Sequence, residues 1–133
     1  MTREIKFRAW LKEEKKMVNV ETIDFTDKSI QYLEKNEFIN AYLSRRMIFD
    51  DIELMQFSGL KDANGKEIYE NDLISCNKYK NIVVFFENGC FEIKYPKSDT
   101  TNIICTLDTF LEKYKCKISG NIYENKNLLE ENR

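Results

Sequence analysis

Between positions 62 and 72 the chain carries four carboxylates, Asp62, Glu67, Glu70 and Asp72. Brought together by a fold, such acids could hold magnesium through oxygen ligands or act as a general base. Aspartates beside Asn and Gly have a commoner use, which is to bond backbone N–H groups and shape turns. That use is preferred here: Asp62 and Asp72 shape turns, and Glu67 and Glu70 face solvent. A second grouping is basic. Lys78, Lys80, Lys94 and Lys97 lie near Tyr79, Phe86 and Tyr95, a mixture of cations and stacking rings that suits single-stranded nucleic acid. The net charge of −2 weighs against a phosphate-backbone binder, so a packed barrel with a solvated lysine rim is the preferred reading.

Much chemistry is excluded by what the chain lacks. It has no histidine, which removes Ser–His and Cys–His nucleophiles and the commonest general base. Its four glycines are scattered and build no phosphate-binding loop. Cys76, Cys90, Cys105 and Cys116 form no CxxC pair, and a zinc site would need all four thiolates. They read as reduced thiols acting as small apolar residues in a cytoplasmic protein. No catalytic residue, metal site or cofactor is expected. The N-terminus lacks the apolar core of a signal peptide, and no apolar run is long enough to cross a membrane.

The elements that would position these groups are mostly strands. At 133 residues, 42% hydrophobic and 33% charged, the chain has the composition of one soluble globular domain, taken here as residues 1–133. Ile5, Phe7 and Ala9 alternate with Lys6, Arg8 and Trp10, the period of a half-buried strand. A charged turn at 11–16 follows, and 17–23 returns as its antiparallel partner. Trp10 falls on the polar face at the turn end, either covering the hairpin or displayed as a contact residue, with cover preferred. Residues 29–33 read as a short strand. Residues 36–47 carry two readings: a helix capped by Asn36, or an extended run through Ala41, Tyr42 and Leu43. Arg45 and Arg46 read as a solvated surface pair.

Leu54 to Ile74 is the central motif. Asn64-Gly65 separates two strand-like runs, a strong hairpin signal that predicts a type I′ turn, with Gly59 breaking the strand before it. Glu70-Asn71-Asp72 predicts a second turn, with Asn71 suited to the left-handed region. Residues 82–86 and 91–95, joined across Glu87-Asn88-Gly89, predict another hairpin whose wholly apolar first strand suits the centre of a sheet or a strand bent between two faces. Pro96 ends its partner, and 97–102 is a polar loop. Asp108 is placed as the cap of a short helix whose Phe110, Leu111 and Tyr114 share a face. Residues 116–123 form a closing strand with a bulge at Gly120, and 125–131 a final short turn or helix. Ile68-Tyr-Glu-Asn71 recurs as Ile122-Tyr-Glu-Asn125. The economical reading is one strand-end turn used twice, with Ile inward and Tyr on the rim.

Three blocks, Arg3 to Trp10, Leu54 to Ile74 and Ile118 to Asn125, resemble the YopX family of phage and prophage proteins. Departures are mild: Asn71 stands where that family usually has glycine, Leu11 where it has aspartate, and Ser58 where it has threonine. The resemblance implies a mainly β fold around a small SH3-like barrel, with an N-terminal β-hairpin and one or two short helices. It also implies carriage on phages or integrated elements, and it supplies no catalytic residues.

The function expected first is a non-enzymatic interaction module that binds a host or phage protein and self-associates through sheet edges, motivated by an aromatic content of 13% on a small β scaffold. The candidate binding residues are Trp10, Asp62, Lys66, Tyr69, Glu70, Asp72 and Tyr123. A nucleic-acid-binding accessory protein ranks second, and a carboxylate-dependent enzyme third.

Overall fold

Alternating apolar and polar residues become strand wherever the chain can pair, and the result is a mainly β, barrel-like fold. The computed structural model describes residues 3–130. They fall into two units, one over Ile5–Gln56 and one built from Phe57 onward, to which the residues before Ile5 also belong.

In the first unit, β1 (Phe7–Leu11) pairs antiparallel with β2 (Lys16–Asn19), Trp10 opposite Met17. On its other edge β1 pairs with the start of β6 (Ile52–Lys61), Ala9 opposite Leu54 and Leu11 opposite Ile52. The predicted return strand at 17–23 is split. Only its first half pairs with β1, while Thr22–Asp24 forms β3 and pairs with β4 (Ser29–Asn36). A second departure is Ile5, which precedes β1 and is 65% exposed rather than facing inward. Ala9, Leu11, Ile30, Tyr32 and Ile52 form the core of this unit. Burying the leucine and isoleucine side chains among them contributes about 1.5–3 kcal/mol each.

The ambiguous stretch 36–47 is extended. β5 (Ala41–Ile48) pairs with β4 over eight unbroken positions, from Ser29 opposite Ile48 to Asn36 opposite Ala41. Asn36 does cap, but it caps a turn: its Oδ1 accepts the N–H groups of Phe38 and Ile39. Asn40 takes φ of 48°, which stops the turn from winding on into a helix. The sheet order is β3-β4-β5. A 3-10 turn at Phe49–Asp51 leads into β6.

In the second unit the end of β6 pairs with β7 (Glu67–Tyr69), Phe57 opposite Tyr69 and Lys61 opposite Glu67. Unequal spacing on the two strands means that Gly59, at φ 87°, bulges the strand instead of ending it. A five-stranded antiparallel sheet follows in the order β11-β10-β9-β8-β12. Its strands are β8 (Asp72–Ser75), β9 (Ile82–Glu87), β10 (Cys90–Pro96), β11 (Asn102–Thr106) and β12 (Lys117–Asn121). The apolar strand β9 is central, as its composition predicts, and β12 bulges between Ile118 and Gly120.

Helix α1 (Leu107–Lys113) buries Leu107 and Phe110 against the core of Ile68, Ile74, Val84 and Ile93. Its cap position is Thr106, and Asp108 lies within the first turn. There the Thr106 hydroxyl and the Thr109 N–H hold the carboxyl below its usual range. Helix α2 (Lys126–Glu130) completes the two short helices. Among the described residues no helix is long and apolar enough to cross a membrane.

Candidate functional site

Two of the four acids, Asp62 and Asp72, are tied to backbone N–H groups. Asp62 ends the β6–β7 ribbon and is 7% exposed. Its Oδ1 accepts the N–H groups of Asn64 and Lys66, each at 2.9 Å, and its Oδ2 accepts that of Ile118 on β12, also at 2.9 Å. Burial pushes this carboxyl upward, but the three N–H donors and the Lys66 ammonium outweigh it and leave the group below its usual range. Asp72 is 2% exposed, and its Oδ2 accepts the Tyr69 N–H at 2.8 Å. Glu67 and Glu70 are half-buried rather than turned fully to solvent. Among the described residues no three acids or thiols are disposed to hold a metal ion.

This arrangement corrects the turn at Asn64-Gly65. Gly65 has φ of 82°, but Asn64 does not take the positive φ a type I′ turn demands. The Gly65 N–H donates to the Asp62 carbonyl at 3.0 Å, and the Asp62 N–H to the Lys66 carbonyl at 2.8 Å. That is a longer hairpin loop closed by a left-handed glycine. The type I′ turn occurs instead at Asn88-Gly89, with φ of 55° and 79° and Glu87 directly opposite Cys90.

The two Ile-Tyr-Glu-Asn copies meet. The Ile122 N–H donates to the Asn71 carbonyl at 3.0 Å, and Asn71 Nδ2 donates to the Tyr123 hydroxyl at 3.2 Å. They are not one turn used twice. Asn71 is left-handed at φ 71°, whereas the second turn is set by Asn121, whose Oδ1 accepts the Tyr123 and Glu124 N–H groups. Tyr69 is no rim residue: it is 7% exposed and packs its ring 5.6 Å from that of Phe57. Tyr123 is half-buried, and Lys66 is exposed. Trp10 belongs to the other unit, half-buried on β1 between Met17 and Glu53. Of the expected binding residues in this unit, Asp62, Tyr69 and Asp72 are buried, and the two aspartates bond backbone N–H groups of turns and strands.

The basic and aromatic grouping separates as well. Tyr79 and Tyr95 lie 4.8 Å apart and pack with Phe110 and Tyr114 in the core cluster. Lys78 covers the Tyr79 ring at 5.5 Å. Only Phe86 of the three expected stacking rings is exposed, and Phe91 packs edge-on against it at 5.0 Å.

Sequence reasoning missed a different feature. The β4–β5 hairpin carries Leu33, Phe38, Ile39, Tyr42 and Leu43 in the open, and Phe38 is 100% exposed at the turn. Arg45 bonds Glu34 at 2.9 Å, and Arg46 bonds Asp27. The Arg46 guanidinium, with the Ser29 hydroxyl, holds Asp27 below its usual range, and both guanidinium groups are occupied. What this hairpin offers outward is therefore apolar side chains and an unpaired strand edge. The sequence shows these apolar residues at 38, 39, 42 and 43, but local pattern does not tell whether another element covers them.

Comparison with known proteins places this architecture. The crystal structure of protein EF1440 from Enterococcus faecalis superposes with a TM-score of 0.62 at 21% identity, over 96% of this chain and 99% of that one. At that identity it shows a shared fold. A release factor glutamine methyltransferase of Fusobacterium nucleatum subsp. nucleatum is 36% identical over 74 residues, which are 56% of this chain and 20% of that protein. The chain thus spans only a fifth of that enzyme's length. The model of the YopX protein family matches residues 6–130, so the chain belongs to the YopX family.

Proposed function

We propose that this chain is a non-enzymatic protein-binding module, acting on a protein of a bacterial host or of the phage that carries its gene. The observation that carries the reading is Phe38, fully exposed at the end of a long hairpin and flanked by Leu33, Ile39, Tyr42 and Leu43. Folding leaves such a side chain in water at the loss of about 1.5–3 kcal/mol of burial, which a docked partner recovers. Aromatic residues dominate the centres of protein interfaces for this reason. The acids of the Asp62–Asp72 turns support this reading indirectly, because their hydrogen bonds are spent on the scaffold. The same holds for the tyrosines of the core cluster, which are packed away from any nucleic-acid strand.

The test is a photo-crosslinking side chain placed at position 38 in cells, compared with one at Ile104, which is 58% exposed in the other unit. The expected result is an adduct to one other protein from position 38 alone. Binding of that purified protein is then expected to fall at least about tenfold on Phe38→Ala, a change worth 1.4 kcal/mol. No adduct from position 38, or the same adduct from both positions, overturns the proposal.

A further inference from the structure

We infer that β5 is a pairing edge for a second copy of this chain, joined antiparallel β5 to β5 about a two-fold axis. The inference rests on the docking reading of the same hairpin and names one occupant of it. In the order β3-β4-β5, the last strand is hydrogen-bonded on one side only. Natural edges are blunted by prolines, bulges, short length or free charges. β5 has none of the first three: its sequence is Ala-Tyr-Leu-Ser-Arg-Arg-Met-Ile, its register with β4 is unbroken, and its eight residues span about 27 Å at ~3.4 Å each. Arg45 and Arg46 would be the guarding charges. Each is neutralised by an acid of its own chain, Glu34 and Asp27 respectively, so neither repels an incoming strand strongly.

Self-complementarity selects the second copy. An antiparallel pair centred on Leu43 sets Leu43 opposite its counterpart and Tyr42 opposite Ser44 of the other copy. Arg45 then faces Ala41, so the guanidinium groups of the two copies do not face each other. The same register carries the exposed turn residues Ile39 and Phe38 towards Met47 and Ile48, of which Ile48 is itself 39% exposed. The pairing thus covers Leu43 on one face and Tyr42 on the other by the same residues of the second copy, the requirement of a two-fold interface. Phe38 and Tyr42 alone offer roughly 300 Å² at ~150–250 Å² per aromatic.

The test is sedimentation equilibrium of the wild-type chain at micromolar concentration, alongside Leu43→Arg and the control Ile104→Arg. The wild type and the control are expected at twice the mass of one chain. Leu43→Arg sets two cations opposite each other and is expected to weaken self-association by at least about tenfold, with its circular dichroism spectrum unchanged. A wild-type chain of single-chain mass, or a Leu43→Arg chain that dimerises like the wild type, overturns the inference. Monomers whose position 38 still crosslinks another protein would remove the second copy and leave the binding proposal standing. Dimers that crosslink only to themselves would do the reverse.

Discussion

Asp62→Asn is the most discriminating change in the scaffold, because the two oxygens of Asp62 do different jobs. Oδ1 holds the hairpin loop through Asn64 and Lys66, and Oδ2 holds β12 through Ile118. Asparagine keeps one oxygen and turns an NH₂ toward the other donor. If the loop keeps the oxygen, the Ile118 N–H faces a donor and loses a charge-assisted bond. Hydrogen bonds to a charged group are worth about 1.5–3 kcal/mol, and the orphaned donor is half-buried, so the variant should lose roughly 2–3 kcal/mol. The exposed amides of Asn64 and Lys66 can turn to water, so Asp62→Ala should cost only slightly more. The pH dependence follows from the lowered carboxyl. The folded value lies below the unfolded one, so this stabilisation is fully present above about pH 4. It is lost as the pH falls through that value and on through the folded one. The gap between wild type and Asp62→Asn in urea unfolding should therefore be widest near neutrality and close in acid. Hydrogen exchange at the Ile118 amide should accelerate in the variant at neutral pH. Equal stability of the two proteins at pH 7, or a gap that widens in acid, would refute the reasoning.

Gly120→Ala would place a methyl group 2.6 Å from Asn125 Cγ, displacing the side chain whose Oδ1 accepts the Asn121 N–H. A loss of about 1–3 kcal/mol is expected in thermal unfolding, and an unchanged melt would contradict the contact. Asn71→Gly should be nearly neutral at φ 71°, whereas Asn71→Ala should cost about 1–2 kcal/mol through the left-handed backbone alone; denaturant midpoints separate them. Burial and the neighbouring Cys76 push the Cys116 thiol up to about 12. Alkylation of the folded protein at pH 8 should leave Cys116 unlabelled, and mass mapping that finds it modified as fast as after unfolding would be contrary. Phe38→Ser should change stability by less than about 0.5 kcal/mol, because the side chain touches nothing the fold depends on; a clear loss in the melt would show that it packs.

Where one residue pair or one short period settles the backbone, reading the chain by itself was sufficient. Strand alternation at Phe7 to Trp10, the apolar run of β9, the stop at Pro96 and the left-handed Asn71 all depend on neighbours within a few positions, and family membership follows from three short motifs, whereas Leu11, expected in the charged turn, ends β1 as a fully buried core residue. Two identical Asn-Gly dipeptides show where such reading stops. Asn88-Gly89 turns as type I′ because its strands pair tightly on both sides, while Asn64-Gly65 cannot, because the Asp62 carboxylate has already captured the amides of the loop. That capture is made firm by Ile118, a residue distant in sequence, so no local window contains it. The interface candidate is hidden for a related reason. Alternation says that Tyr42 and Leu43 lie on opposite faces of a strand, but whether either face is covered depends on which elements pack there. Only the tertiary structure shows that these two side chains stay exposed while Met47 further along the strand packs on the core, because hydrophobic burial is decided by the neighbours a side chain meets in space rather than along the chain.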